Sequence, residues 1–439
     1  MKQFVRVGKT TILFLAGMAF LAGALIAGSA PVSPDVPDLP ASTLPATAFR
    51  IMEGTHNRES AYASLSVAHN NKVYLGPAAY GTNAYLVELD PATSKQRVVV
   101  DTRKLCRLNA YGFAAQSKIH TRLFVAPSGR IYFGSKQGYP RKGESHYTYL
   151  GGYLMSYDPA KNRAVNLGKI PFRGHGVYDV AVDEKRQLMH ITTCADELKD
   201  YFWFLMDMRS GHIEGMGPRL HTNAHPLMTP DGSSVHVITH DGKLARYRPD
   251  DDELTVRPMI LDTGEPFVPT NSIIQCVMAP DGRSAYLFPN NRPEIYAVRL
   301  DAEGESYPTE RVACFSSAES CTTMDPIFGP DGKLYCVSKW REPGGGRTAL
   351  LHVVAYDPAT RAVQDHGVLT VSNPDALKAA LPPEPPIGKA PYHGVRILPD
   401  GNLYPNSAQG IATAADGTIY VMTLSPLCVF RLDNLRAAP

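Results

Sequence analysis

Histidine, tyrosine, arginine and lysine recur in short segments placed just ahead of apolar runs. These are QSKIHTR with Lys118, His120 and Arg122, RGHGVYD with His175 and Tyr178, PRLHTNAH with Arg219, Asn223 and His225, and TNSIIQC with Gln275 and Cys276. A second set lies beyond the next apolar run, in SKQGYPRKGESHYTYLGG with Lys136, Tyr139 and His146, TCADELKDYF with Tyr201, and SKWREPGGGR with Trp340. Neither set contains a nucleophile elbow, and Glu144, Asp196 and Glu197 are the only evident acids for glycoside hydrolysis by two carboxylates. Proton abstraction beside a carboxylate suits these residues better. A cation neutralises a sugar carboxylate and acidifies the adjacent C–H, a neutral His or a Tyr takes the proton, and a Tyr or His protonates the leaving oxygen. Arg suits the first role because its planar fork grips a carboxylate bidentately.

Such residues lie as much as 222 positions apart, from Lys118 to Trp340, so a scaffold must gather them. Pro-Asp-Gly starts at Pro230, Pro280 and Pro330, each time between two apolar runs. The turn recurs as Ser128-Gly129, a degenerate Asp183-Glu184, Asp400-Gly401 and Asp416-Gly417, and a second marker, Asp-Pro-Ala, follows at Asp90, Asp158 and Asp357. A period of about 40–50 residues with strand-length apolar segments meeting at Asx-Gly turns is what one four-stranded propeller blade consumes. The expected fold is therefore an all-β, seven-bladed β-propeller of four-stranded antiparallel blades, at 61–105, 114–170, 175–219, 221–262, 271–315, 321–372 and 408–433. The last blade is one strand short, and the segment AFRIMEG from Ala48 is expected to fill it, leaving no sheet edge unpaired. HGVRILPDGNLYP, from His393, stands too close to the Asp416 turn to belong to the same blade. Residues 373–407 thus read as an insertion, with a short helix capped by Asn373 and a Pro-rich linker.

Both turn types fall on one side of such a ring, which leaves the His, Tyr, Arg and Lys segments on the other. Counting back from the turn sharpens this. His120 stands seven residues before Pro127, Asn223 seven before Pro230, His225 five before it, and Gln275 five before Pro280, so all share one strand parity.

KIHTR at His120, YFGSKQGYP followed by a loop containing His146, and a Tyr then an Arg across the third blade resemble the propeller-type polysaccharide lyases that degrade ulvan. The likeness is sharpest between Ala114 and His225. It implies a site of two histidines, a tyrosine and an arginine, with a structural metal ion nearby. By position His120 matches the first histidine and His146 the second. Tyr201 with Arg219 has about the family's separation, and Tyr178, on an inner strand, competes for the tyrosine. The expected activity is β-elimination on an acidic, uronate-containing polysaccharide. Lys118, Arg122, Tyr139, Asn223 and Trp340 are expected to contact substrate, and His225, Cys276 and His393 to hold the metal, zinc or calcium; no cofactor is needed for the chemistry itself. The alternative is a non-catalytic exported propeller that binds a glycan or protein with the same rim. A redox propeller is disfavoured by the lack of a Cys-x-x-Cys-His site.

The formal charge of +2, with no stretch concentrating Lys and Arg, argues against nucleic acid as a partner. Lys2, Arg6 and Lys9 precede an apolar run that ends in small residues, so 1–30 reads as a signal peptide. An uncleaved leader would anchor the chain to a membrane. Residues 31–47 read as a Pro-rich linker, and the mature protein is expected to be an extracellular or periplasmic monomer. Seven cysteines leave at least one thiol unpaired, and Cys314 with Cys321 is the candidate local bridge.

Overall fold

The computed structural model describes residues 39–195, 200–217, 225–238, 241–268, 274–318, 320–341, 349–378 and 394–436. Within them the chain lays down seven four-stranded antiparallel units in succession. Their innermost strands are Glu59–Val67, Phe124–Val125, Gly176–Asp183, Leu227–Met228, Ile274–Met278, Thr322–Phe328 and Ala408–Thr413, here taken as blades 1 to 7. Each innermost strand touches the next in that order, and the seventh touches the first. The fold is a β-propeller.

The repeated turn explains itself in atomic terms. The Asp231, Asp281, Asp331, Asp400 and Asp416 carboxylates each accept from the main-chain N–H two residues on, at 2.9–3.2 Å. The glycine that follows sits at positive φ, +85° at Gly232 for example, where a side chain would be strained. In the second marker, Asp90 and Asp357 make the same bond to Ala92 and Ala359.

Blade 7 takes its outermost strand from the other end of the chain. Thr43–Arg50 pairs antiparallel with Cys428–Arg436 through Ala46 and Leu432, and parallel with Val363–Val371 of blade 6 through Thr43 and Val368. This strand begins at Thr43 rather than Ala48, so the end of the segment read as a linker is sheet. The reason is its alternation: Leu44, Ala46 and Ala48 are buried in the core between blades 6 and 7. A second parallel seam joins the outer strands Glu253–Leu261 and Tyr307–Cys314 of blades 4 and 5.

The segment from 373 departs from expectation in one respect. Asn373 does not cap the short helix Asp375–Lys378 with its side chain. Its amide instead accepts from the Ala48 N–H at 2.7 Å and donates to the Ala48 carbonyl at 3.0 Å, which ties the closing strand down. Val395–Ile397 and Leu403–Pro405 form a separate hairpin packed against blade 6. Among the described residues no disulfide joins any of the seven cysteines; Cys314 and Cys321 are not bridged.

Candidate functional site

A cavity of about 330 Å³ opens where the inner strands begin, on the side of the ring away from the Pro-Asp-Gly turns. All seven blades line it: Tyr62 from the first, Lys118, His120, Lys136 and Tyr139 from the second, Tyr178 from the third, His225 from the fourth, Gln275 and Asn290 from the fifth, Thr322 to Asp325 from the sixth, and Gln409 from the seventh. Below it, a second cavity of about 350 Å³ is lined by Leu65, Val67, Arg122, Cys276, Met278, Phe328 and Ile411 among others, with Ala63 and Asp325 shared between the two.

His120 is buried between aromatic rings, stacked on Tyr62 at 5.4 Å and tilted against Tyr178 at 5.1 Å. Burial, reinforced by the nearby Lys136 and Lys118 charges, holds its pKa well below the ordinary histidine value, so the ring is neutral. It bonds to the main chain of Tyr178, while its Nδ1 is buried with no hydrogen-bond partner among the described residues. Burial shifts Tyr178 the opposite way, holding its phenol well above the usual range and so protonated.

Lys118 and Lys136 are almost fully buried, which is rare for lysine. Their main chains exchange hydrogen bonds of 3.1 and 2.8 Å, which sets them side by side. The Lys118 ammonium lies 4.9–5.3 Å from the ring centres of Tyr139, Tyr62 and Tyr80. Tyr139 is half-exposed at the rim.

His225 reaches the cavity with its Nδ1 held at 2.8 Å by Asp179. Asp179 also takes the Arg122 Nε at 2.7 Å and the Arg122 main-chain N–H at 2.9 Å, while the Arg122 fork donates to the Pro226 carbonyl. Asp179 is fully buried, yet Arg122 and His225 keep its carboxyl below the ordinary value against the cost of burial. Asp325 goes the other way: burial pushes its carboxyl up despite His225 and Arg122. Its Oδ2 finds no partner among the described residues, and neither do Gln275 Oε1 and Gln409 Oε1.

Several expected site residues stand elsewhere. Arg122 does not face substrate, because its guanidinium ties blades 2, 3 and 4 together through Asp179 and Pro226. Trp340 is buried at the end of its strand, stacked on His352 at 3.8 Å and packed against Phe315, so it offers no sugar platform. His146 sits in a short turn, edge-on to Phe113, and lines a small separate cleft that shares only Tyr139 with the main cavity. Tyr201 lies two strands out from the channel, buried behind Tyr178 at 6.4 Å, so the inner-strand Tyr178 takes the cavity position. Of the expected metal set, His225 is bonded to Asp179, and Cys276 is packed in the core between blades 4 and 5, where burial pushes its thiol up to about 11. Among the described residues no three His, Cys, Asp or Glu side chains are placed to hold a metal ion. Arg219, Asn223 and His393 lie outside the described residues.

Tyr62, Asp179, Asp325 and Gln409 are additions. Asp325 stands five residues before Pro330, the register of His225 and Gln275, so the count that gathers those two reaches it as well. Tyr62 stands seven before His69, which holds the turn-proline place in blade 1, and so shares the register of His120. Both also break the strand. Each sits at a bulge with positive φ, +75° at Tyr62 and +36° at Asp325, which is strained for an aromatic residue and uncommon for Asp.

No family model matches the chain, and no curated protein matches it. Solved structures do. A streptogramin B lyase superposes with a TM-score of 0.51 at 10% identity, over 88% of this chain and 96% of its own. Virginiamycin B lyase from Staphylococcus aureus gives 0.50 at 8%, over 88% and 98%. The WD40 repeats of RRP9 give 0.51 at 6%, over 88% and 97%. These likenesses show the fold alone. At such identities a propeller hosts unrelated activities, and the site must argue for itself.

Proposed function

We propose that the protein is a polysaccharide lyase that cleaves an acidic, uronate-containing polysaccharide such as ulvan by β-elimination. The observation that carries this reading is the contact of a neutral, buried His120 with a protonated Tyr178 ring 5.1 Å away, both beside two buried lysines. The two shifts leave His120 neutral and Tyr178 protonated, the states from which a base and an acid acting in one step must start.

In this reading Lys118 and Lys136 neutralise the uronate carboxylate and so acidify the adjacent C–H. The neutral His120 imidazole takes that proton, the C–H electron pair becomes the new C=C bond, and the C–O bond to the departing sugar breaks. The Tyr178 phenol gives its proton to the leaving oxygen, and solvent returns a proton from His120 to Tyr178. Electrons balance without oxidant or reductant. Cleavage of an extracellular polymer also suits an exported chain.

Incubating the purified protein with ulvan and a panel of other uronate-bearing polysaccharides tests this through the ultraviolet absorbance of the unsaturated uronate. A rise with at least one substrate is expected. Flat traces from folded protein would overturn the lyase reading in favour of a propeller that binds a glycan or protein.

A further inference from the structure

The proposed chemistry uses one wall of the cavity and leaves the other unexplained. Across from the lysines, blades 5, 6 and 7 present Gln275 Oε1, Asp325 Oδ2 and Gln409 Oε1, all three residues more than nine-tenths buried and all three oxygens without a partner among the described residues. Native interiors rarely leave such atoms unmatched, and each unmatched one costs stability. Here three such residues line one cavity. The Gln409 Nε2 donates to Ser407 Oγ at 3.3 Å, which turns its Oε1 away from that bond.

The backbone is shaped to the same end. Asp325 occupies a positive-φ bulge that interrupts the pairing of Thr322–Phe328 with Leu334–Trp340, and it is the one polar side chain shared by the upper and lower cavities. A strained, buried, unpaired carboxyl at the floor of a cavity is a poor structural element and a good ligand contact.

We propose that Gln275, Asp325 and Gln409 form a hydroxyl-recognition subsite, which binds the hydroxyl groups of the sugar whose carboxylate faces Lys118 and Lys136. This deepens the lyase reading and rests on it for the carboxylate's placement. Oxygen acceptors on one wall and ammonium groups on the other select a ligand that is both acidic and rich in O–H donors, a description that fits a uronate and excludes a simple anion. A hydroxyl serves Asp325 in either protonation state, since it donates to a carboxylate and accepts from a carboxylic acid. Sites built to bond a substrate hydroxyl discriminate strongly against ligands lacking it, because the buried partners are then left unpaired.

The test measures calorimetric binding of saturated ulvan oligosaccharides to the full chain, together with KM, kcat and Tm, for wild type, Gln275→Met and Asp325→Gly. Met keeps the volume of Gln275 without its oxygen, and Gly accepts the positive φ of Asp325. Each variant is expected to weaken oligosaccharide binding and raise KM by about tenfold, to change kcat far less, and to melt at or above the wild-type temperature. Binding and KM unchanged, or a lowered Tm with unchanged affinity, would overturn the subsite and leave these residues structural. If wild type binds and the variants bind weakly while no unsaturated product ever forms, the subsite stands and the lyase reading falls. If product forms and both variants act as wild type, the reverse holds. Failure of wild type to bind any oligosaccharide overturns both.

Discussion

The upper and lower halves of the central channel are nearly equal in volume, about 330 and 350 Å³, and are walled largely by the same inner strands. Their linings differ along several strands. Along blade 1 the lining passes from Tyr62 to Leu65 and Val67, along blade 5 from Gln275 to Val277 and Met278, along blade 6 from Thr322 and Thr323 to Ile327 and Phe328, and along blade 7 from Gln409 to Ile411. A shift toward apolar residues within these four strands distinguishes the two halves, with Ser66, Arg122, Asp325 and Thr413 as the polar residues of the lower lining. Space alone does not mark a site; unmatched buried polar atoms do, and His120, Gln275, Asp325 and Gln409 of the upper lining carry them while only Asp325 of these also lines the lower. The Arg122, Asp179 and His225 network lies at the junction and braces it.

The sharpest way to break this contrast is to remove the base. His120→Ala is expected to lower kcat by about 10²–10⁴-fold while Tm holds or rises, because the substitution removes a buried ring with an unmatched nitrogen. A variant with full turnover would sink the assignment. Asp179→Ala should do the converse by stranding Arg122 and His225 without their carboxylate. The expected cost is about 3–5 kcal/mol of stability, read from urea midpoints, and a midpoint near wild type would show that the junction does not hold the halves together.

The architecture was legible because its signal is local and repeated. Each Asp-Gly turn needs only its own carboxylate and one positive-φ glycine, so Pro230, Pro280 and Pro330 each announce a blade, while the same turn at Pro399 announces only the separate hairpin. Strand parity carried over to part of the site, placing His120, His225 and Gln275 on the wall they occupy. It failed where partners are distant. Nothing near Arg122 indicates that Asp179, on another blade, will claim its fork, and nothing near Trp340 indicates that His352 will cover its face. Tyr62 and Asp325 were reachable by the same counting, yet Asp325 lies in a segment without His, Arg or Lys, and the bulges at both depend on pairing with the neighbouring strand.

A comparison of buried histidines gives the next effect. His120 faces the upper cavity, whereas His190 and His236 are buried behind the channel beside Trp203, with His236 stacked on its indole at 3.7 Å. Burial lowers His190 to about 3 and lowers His236 also, the latter with a further contribution from His190. The native state holds these rings neutral while the unfolded chain protonates them near about 6.5. Their contribution is thus complete above that pH and is lost as pH falls from there toward about 3, the direction in which the unfolded state binds more protons. Melting temperatures should fall steadily from pH 7 to pH 4. His120 predicts a different profile for activity: its depressed pKa keeps the base neutral, so kcat/KM should pass through pH 6.5 without the usual histidine limb. A Tm independent of pH, or an activity limb at the ordinary histidine value, would count against the respective assignment.

The smallest effect is expected in the lower half. Ile411 is buried on the inner strand of blade 7, two residues beyond Gln409, and lines the apolar cavity. Ile411→Val removes one methylene from that packing and should cost about 0.5–1.5 kcal/mol, with kcat and KM as in wild type. The substitution lies on the same strand as a proposed hydroxyl contact, so it asks whether the division between the halves is sharp. A fall in turnover comparable to the loss of a substrate contact would mean that packing below the floor positions the groups above it, and the two halves would have to be treated as one coupled site.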